Sequence, residues 1–452
     1  MRVKNIFGQF KPDRFINAVK FIGYCSLLLF LTTCKKEIAK EEISNSAIKY
    51  FDGGVSDKVN TINKTSDGGF IYCGYTGKNE NHTDAFLMKV DANGNQLWYK
   101  TYGGKDRDEF NHVIQTSDGG FLAVGTSNSY GFGATSKAIT SYDYTVKTDA
   151  NGNELWNKSI LNYASSFQYA VENAAHEYII TGFVTLSSDA DILTFKLNEN
   201  GNIIWGYSYK GYLQPPNLAA KNTYHDVARF ASIAHDGDIM VGGVMSKSGL
   251  VIEVSKMVTF TMKINSATGK EVKWLYPYND YARETAYQYG FASHHNRRPI
   301  VQMINLPDGY MVGTYLELTG NVLKMQLLKI GLDGAIIWQK QYGGLGNAIM
   351  HNLEANADGS YLLIGMSTKE PINNSFPEMF ANLKTMLLKV DKDGNELWTS
   401  YTGSETNANI SKCVQPLSND GWLVAGFTTS TETGFDKMFY MTVDKEGKLV
   451  VK

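Results

Sequence analysis

Too little cysteine is present for a disulfide scaffold. The chain of 452 residues has four, and only Cys73 and Cys413 lie in its main body, so an apolar core has to hold the fold. A long apolar run is missing too. The run from Phe21 to Leu31 spans eleven residues, about half of the ~20 that a membrane-spanning helix needs. No helical periodicity runs through the body, which leaves strands. Basic runs are absent and the formal net charge is −2, which argues against nucleic acid as a partner. There is no Gly-x-Ser-x-Gly elbow, no His-Glu-x-x-His, no phosphate-cradling glycine loop and no Cys-x-x-Cys. No cofactor is expected, and catalysis has no motif to rest on.

What is present at the N-terminus reads as an address. Arg2, Lys4, Lys11, Arg14 and Lys20 stand against one acid, Asp13, and precede the apolar run. The run then meets Leu31-Thr32-Thr33-Cys34. This resembles the bacterial lipobox, in which a cysteine after small residues is acylated and becomes the mature N-terminus; Thr33 departs mildly from the usual Gly, Ala or Ser. The resemblance implies a signal peptide over 1–33, lipid on Cys34 as the membrane partner, and a charged tether over 34–46. Lys35 after the cysteine resembles outer-membrane sorting, with the membrane leaflet left open. The alternative is an ordinary cleaved signal, or an uncleaved anchor with Cys34 incidental. Without residues 1–33 the net charge becomes −6.

Internal repetition dominates the rest. TSDGGF at 65–70 recurs at 116–121, and KVDANGNQLW at 89–98 recurs as KTDANGNELW at 147–156. Each unit has two tight-turn signals. The first is Asp67-Gly68, Asp118-Gly119, Asp236-Gly237, Asp308-Gly309, Asp358-Gly359 and Asp420-Gly421, with His176-Glu177 in a degenerate third copy. The second ends on Gly94, Gly152, Gly201, Gly269, Gly334, Gly394 and Gly447. Such turns join antiparallel strands. Between them lie β-rich segments such as FIYCG, FLAVG and YLLIG, then AFLMKV or TMLLKV, then a segment carrying Trp98, Trp156, Trp205, Trp274, Trp338 or Trp398. Four short strands per repeat and seven repeats predict an all-β, seven-bladed β-propeller of four-stranded antiparallel blades over 47–452. The unit resembles that of bacterial β-propeller repeat lipoproteins, "GG-aromatic-x-x-x-G … D-x-F-x-x-K-x-D-x-x-G-x-x-x-W". Its glycine-then-Trp hairpin is similar, less specifically, to the tryptophan-docking segment of quinoprotein propellers. Neither resemblance implies an activity.

Residues in register are assigned structural roles. Lys89, Lys147, Lys196, Lys263, Lys329 and Lys389 occupy one repeat position, and six copies point to stems lying over the blade with the ammonium paired or wet. The tryptophans read as wedges between blades, and the glycine closing the second strand as a point of close backbone approach. The last unit stops near Val451, where a tryptophan would stand, while Ile48-Lys49-Tyr50-Phe51 resembles the stretch after Trp98. Residues 47–52 are therefore expected to complete the seventh blade. Cys73 and Cys413 fall in units that closure makes neighbours; two buried thiols are favoured over a disulfide stapling the ring.

Both tight turns of a unit lie at one end of its blade, so the remaining connections open on the other face. The long ones are Thr126–Asp143, Tyr207–Asp226, Leu275–Pro299 and Ser367–Thr385. Variable loops on a rigid scaffold suit binding. The insertions flanking the fourth unit hold Tyr212, Tyr278, Tyr281, Tyr287 and Tyr289 with Arg283, His294, His295, Arg297 and Arg298. Tyrosine faces fit sugar rings or peptides, and arginines fit carboxylate or phosphate. Some early tyrosines belong to fourth strands and pack between blades instead. Adjacent His294 and His295 on an extended segment point apart, so no metal is assigned. The partner is expected to be a glycan, a peptide or an envelope protein. A carbohydrate-active enzyme using Asp280 and Glu284, or a docking protein of an envelope assembly, are the alternatives. Cys34→Ala should move the chain from the membrane fraction to the soluble fraction with its melting temperature unchanged; a variant that still sediments with membranes contradicts the lipid anchor.

Overall fold

The computed structural model describes residues 48–51, 56–79, 82–130, 141–161, 163–186, 189–209, 226–246, 256–283, 302–318, 322–344, 346–368, 383–402, 408–417, 420–429 and 436–450. These form twenty-eight strands in seven four-stranded antiparallel sheets. After β1 (Ile48–Phe51), blade one is β2 (Ser56–Lys64), β3 (Phe70–Asn79), β4 (His82–Val90) and β5 (Gln96–Tyr102). Blade two is β6 (Asp108–Gln115), β7 (Phe121–Ser127), β8 (Tyr142–Thr148) and β9 (Glu154–Lys158). Blade three is β10 (Ser165–Glu172), β11 (Tyr178–Leu186), β12 (Asp189–Leu197) and β13 (Ile203–Tyr209). Blade four is β14 (Val227–Ile233), β15 (Ile239–Ser246), β16 (Lys256–Ile264) and β17 (Val272–Arg283). Blade five is β18 (Gln302–Leu306), β19 (Gly309–Leu318), β20 (Val322–Gly331) and β21 (Ile336–Tyr342). Blade six is β22 (Ala348–Ala355), β23 (Tyr361–Thr368), β24 (Leu383–Val390) and β25 (Glu396–Thr402). Blade seven has β26 (Ala408–Pro416), β27 (Trp422–Thr429) and β28 (Asp436–Val443), and takes β1 as its outer strand. The expected propeller and its closure are both observed: Ile48 pairs with Met441 and Phe51 with Met438.

The core lies between blades. Ile71, Cys73 and Leu87 of blade one pack with Phe110, Phe121 and Tyr144 of blade two, and an equivalent cluster fills each junction round to Val59, Tyr72 and Met88 against Cys413, Ala425 and Tyr440. Cys73 and Cys413 thus face opposite sides of the blade-one sheet. Both are free and buried, and the intervening sheet rules out a disulfide between them.

The tight turns also lock each blade to the next. The closing glycines of the second turns have φ between +68° and +86°, which only glycine adopts without strain. A Cβ on Gly152, Gly201, Gly269, Gly334, Gly394 or Gly447 would come within 2.6 to 2.8 Å of the tryptophan ring of the preceding blade. Each tryptophan is therefore a wedge seated on its neighbour's turn. A tyrosine four residues after several of them completes the contact: Tyr102 donates to Gly152 O at 2.7 Å, Tyr209 to Gly269 O at 2.6 Å and Tyr342 to Gly394 O at 2.7 Å. At the closing junction Tyr440 of β28 takes over, donating to Gly94 O at 2.8 Å.

The six repeat lysines are paired, as their register suggests. Lys89 meets Asp67 at 2.9 Å, Lys147 meets Asp118 at 2.8 Å, and Lys196 meets Glu177 at 2.5 Å. Lys263, Lys329 and Lys389 meet Asp236, Asp308 and Asp358 at 2.6, 2.7 and 2.9 Å. Burial opposes ionisation of Asp67, but hydrogen bonds from Thr65, Lys89 and Gly69 outweigh it and hold its carboxyl down at about 2. A depressed carboxylate contributes stability above its unfolded value, near 3.9, that is lost as pH falls toward 2. Two turns depart from their expected alignment. His176 and Asp420, and not the residues after them, take positive φ (61° each), so each occupies the place of Gly68 and not that of Asp67.

Turn-face connections run from two residues (307–308) to seven (265–271), and most have five. Those of the opposite face run from two residues to eighteen, at 284–301. The start of the expected insertion at Leu275 is strand instead, because β17 continues to Arg283 alongside β16. Deleting residues 46–54 should lower the melting temperature by more than 5 °C or cause aggregation, since it strips the outer strand from blade seven and leaves β28 as an exposed edge. An unchanged melting curve would show that β1 does not close the ring.

Candidate functional site

Every blade presents its innermost strand to a common axis, and six of these strands carry a bulge. The register shifts fall between Val59 and Thr61, Phe110 and His112, Phe167 and Tyr169, Ala228 and Phe230, Met350 and Asn352, and Ser411 and Cys413. The cause is local. A glycine lies fourteen positions further on in each: Gly74, Gly125, Gly182, Gly243, Gly365 and Gly426. A Cβ at any of them would drive into the carbonyl oxygen of the bulged strand, the close approach expected of this glycine. Blade five has Thr314 there, and its described inner strand shows no shift.

The bulge aims one extra side chain at the axis: Asn60, Asn111, Gln168, Arg229, His351 and Lys412 line a central cavity of about 100 Å³. The cavity holds roughly three waters and is well below the ~300 Å³ of a typical ligand pocket. It cannot enclose a sugar ring or a peptide.

Much of this polar lining is engaged in holding neighbouring blades. Asn60 donates to Phe110 O and Thr61 to Asn111 O, both at 2.8 Å. Asn111 donates to Phe167 O at 2.7 Å, and Arg229 to Gln168 Oε1 at 2.6 Å. Asn305 donates to Ile233 O at 2.7 Å, Leu353 N to Gln302 Oε1 at 2.9 Å, and Gln415 to Ile62 O at 3.4 Å. His351 Nδ1 lies 2.6 Å from Ser411 O, which makes Nδ1 the protonated nitrogen. A girdle of inner hydrogen bonds therefore crosses every junction.

Burial sets the protonation of the axial groups. It lowers His112 to about 3, and this ring stacks on Tyr169 with centroids 3.7 Å apart. Burial, then the Lys412 charge, push His351 well below its ordinary value. Burial raises Glu354 to about 8 against the hydrogen bond from Gln415, and raises the Cys413 thiol to about 12. At neutral pH both histidines are uncharged and Glu354 is mostly protonated.

Of the residues expected to touch a ligand, Tyr278 is corrected. It is buried, hydrogen-bonds with Thr261 at 2.7 Å, and donates to Gly334 O at 2.9 Å, so it is a blade lock in register with Tyr102, Tyr209 and Tyr342. Tyr281 and Arg283 belong to β17, and their side chains lie outside the described residues. Cys34, Tyr212, Tyr287, Tyr289, His294, His295, Arg297 and Arg298 also lie outside them. The axial residues were missed by sequence reasoning. Their signal is a repeat position that is polar in six units yet holds five different residue types.

No family model matches the chain, and no curated protein sequence matches it. Solved structures do. An ulvan lyase representing a polysaccharide lyase family is similar with a TM-score of 0.51 at 10% identity, over 87% of this chain and 96% of that one. Polysaccharide lyase Uly1 gives 0.50 at 10% identity, over 90% and 96%. The β-propeller domain of the trilobed protease from Pyrococcus furiosus gives 0.42 at 10%, over 85% and 95%. Likeness at this identity is likeness of fold.

Glu354 generates a test. A carboxyl whose folded value is raised contributes stability that is complete below its unfolded value, near 4.3, and is lost as pH rises through about 8. Glu354→Gln should melt at least ~2 °C above the unmodified chain at pH 8.5 and show no such gain at pH 4.5. Parallel Tm–pH profiles for the two proteins would contradict a Glu354 carboxyl raised in the folded state.

Proposed function

We propose that this chain is a lipid-anchored module of the cell envelope that binds a glycan, peptide or envelope protein through the loops on one face of its propeller. The direction of β1 carries the reading. Ile48 pairs with Met441, near the end of β28, and the tight turn at 444–448 follows. The chain therefore enters blade seven at the turn face. The end of β1 that the proposed tether precedes is thus at the turn face, opposite the face from which the long connections leave. The tether's thirteen residues (34–46) reach at most about 45 Å.

The two faces differ as a base and a binding surface should. Turn-face connections are short and closed by their own hydrogen bonds: Asp91 Oδ1 accepts from the amides of Asn93 and Asn95 at 2.9 and 2.8 Å, a pattern repeated at Asp149 and Asp391. The other face carries sequences of fourteen, seventeen, eighteen and fourteen residues between β7 and β8, β13 and β14, β17 and β18, and β23 and β24. Tyr212, Tyr281, Tyr287, Tyr289, Arg283, His294, His295, Arg297 and Arg298 stand in or beside two of these and are the proposed contacts. The lyase likeness makes polysaccharides sensible probes and carries no activity to this chain.

The test is a glycan array followed by titration of the strongest glycan. Tyr281→Ala, Tyr287→Ala and Arg297→Ala should each weaken binding about tenfold or more, with Tm within ~1 °C of the unmodified protein. Retained affinity with a lowered Tm would make these segments a structural cap.

A further inference from the structure

The junction between blades two and three departs from the repeat at two positions, and the departures meet. The first turn of blade three has Ala175, His176 and Glu177 where blades one and two have Asp-Gly-Gly. Glu177 takes over the ion pair with Lys196, so the acid has moved two places along the turn and the structural contact is kept. His176 stands where Gly68, Gly119, Gly237 and Gly359 stand, and holds their left-handed conformation, with φ 61° against 79° to 82°. The second departure is Glu172. Its counterpart in blade two, Gln115, accepts from Ser66 N at 2.7 Å, and Glu172 Oε2 accepts from Ser117 N at the same distance. A neutral amide is enough for that contact, so the charge of Glu172 is surplus to it. An imidazole is likewise surplus to a turn that glycine closes. The two surplus groups come together. His176 Nδ1 lies 3.5 Å from Glu172 Oε1, and the Ser117 hydroxyl bridges them at 2.7 Å from each.

We propose that His176 Nδ1 and Glu172 Oε1 form a surface site for one divalent transition-metal ion, with zinc as its probe. Imidazole and carboxylate are ligand types that such ions take. The spacing fits: with bonds of about 2.1 Å to each ligand, the 3.5 Å separation corresponds to a ligand–metal–ligand angle of roughly 113°, near the tetrahedral value. Orientation is built in. Both ligands belong to the hairpin of β10 and β11, and the Ser117 amide fixes Glu172 through its other oxygen, the kind of outer contact that aims a ligand at its metal. Access is open, because the His176 side chain is 62% exposed and that of Glu172 13%. Charge agrees as well. The neighbouring acids Asp118 and Glu177 are matched by Lys147 and Lys196, whereas Glu172 pairs with no lysine or arginine among the described residues. Without metal, the Ser117 hydroxyl holds the two groups together by hydrogen bonds. The ion takes over that bridge, with His176 neutral and its proton on Nε2, and the hydroxyl turns aside. Two protein ligands leave the remaining positions to water, so the ion is an exchangeable one. The site goes beyond the binding reading above. It lies on the turn face, where the turns at 116–120, 149–153, 173–177 and 198–202 are all described, and it requires neither a lipid anchor nor the long loops.

The experiment is isothermal titration of the full-length chain, freed of metal by a chelator and held in neutral detergent, with zinc chloride. His176→Gly and Glu172→Gln install residues that other units carry at these positions, so both variants should fold, with Tm in chelator within ~2 °C of the unmodified protein. Each should bind one zinc fewer per chain, or bind it at least about tenfold more weakly. Ser117→Ala should keep the affinity within about threefold, because the hydroxyl bridges the ligands only without metal. Zinc should raise the Tm of the unmodified chain and of Ser117→Ala, and raise that of the other two variants less. Comparing each variant with the unmodified chain separates this site from histidines elsewhere in the sequence. Unchanged zinc stoichiometry and affinity in both His176→Gly and Glu172→Gln would overturn the proposal. So would a lowered Tm in chelator with zinc binding retained, which makes the three residues a lock between blades two and three.

Discussion

The structure depends on one contact repeated around the ring: an indole seated on the left-handed glycine of the next blade's turn. Its two halves come from different units, so no blade can make it alone. Trp98 needs Gly152, Trp156 needs Gly201, and so on to Trp398 on Gly447. A methyl group on any of these glycines would displace the ring, and loss of the ring would uncover the turn. Because each junction buries its own cluster of side chains, stability is spread over seven similar interfaces and not gathered in one centre. The seventh junction shows how strictly the contact is kept. Its outer strand β1 has no tryptophan, and Tyr440 from the neighbouring strand covers Gly94 in its place.

A second constraint shapes the axis. The bulged inner strand and the strand glycine require each other, since only a residue without a Cβ tolerates the displaced carbonyl. The bulge turns backbone carbonyls toward the next blade, and a buried carbonyl needs a donor. Asn60, Thr61, Asn111 and Gln415 supply them, which fills the axis with polar side chains for reasons of assembly. The polar axis is thus mainly a consequence of closing the ring.

Legibility followed repetition. Lys89 and its five counterparts could be read as structural because six copies in register cannot all be catalytic, and each has an acidic partner across its blade. The tryptophans were legible for the same reason. Tyr278 was misassigned although its offset from Trp274 equals that of Tyr102 from Trp98 and Tyr342 from Trp338; the surrounding tyrosines drew it into an insertion that begins later, after β17. The axial residues failed from the opposite side. They differ from unit to unit, so repetition hides them, and variation within a fixed frame is the pattern a ligand or a junction-specific contact leaves.

The sequence by itself determined the blade number, the four-strand unit, the closure by residues near Ile48 and the face from which the long connections leave. Each follows from local turn chemistry and from counting, because a glycine in a tight turn constrains the chain wherever the rest of it goes. Tertiary structure decided which side chains meet. Cys73 and Cys413 are adjacent in blade order yet separated by a sheet. Arg229 and Lys412 are 183 positions apart and share one cavity. Seven strands converging on an axis bring together residues that no spacing along the chain relates.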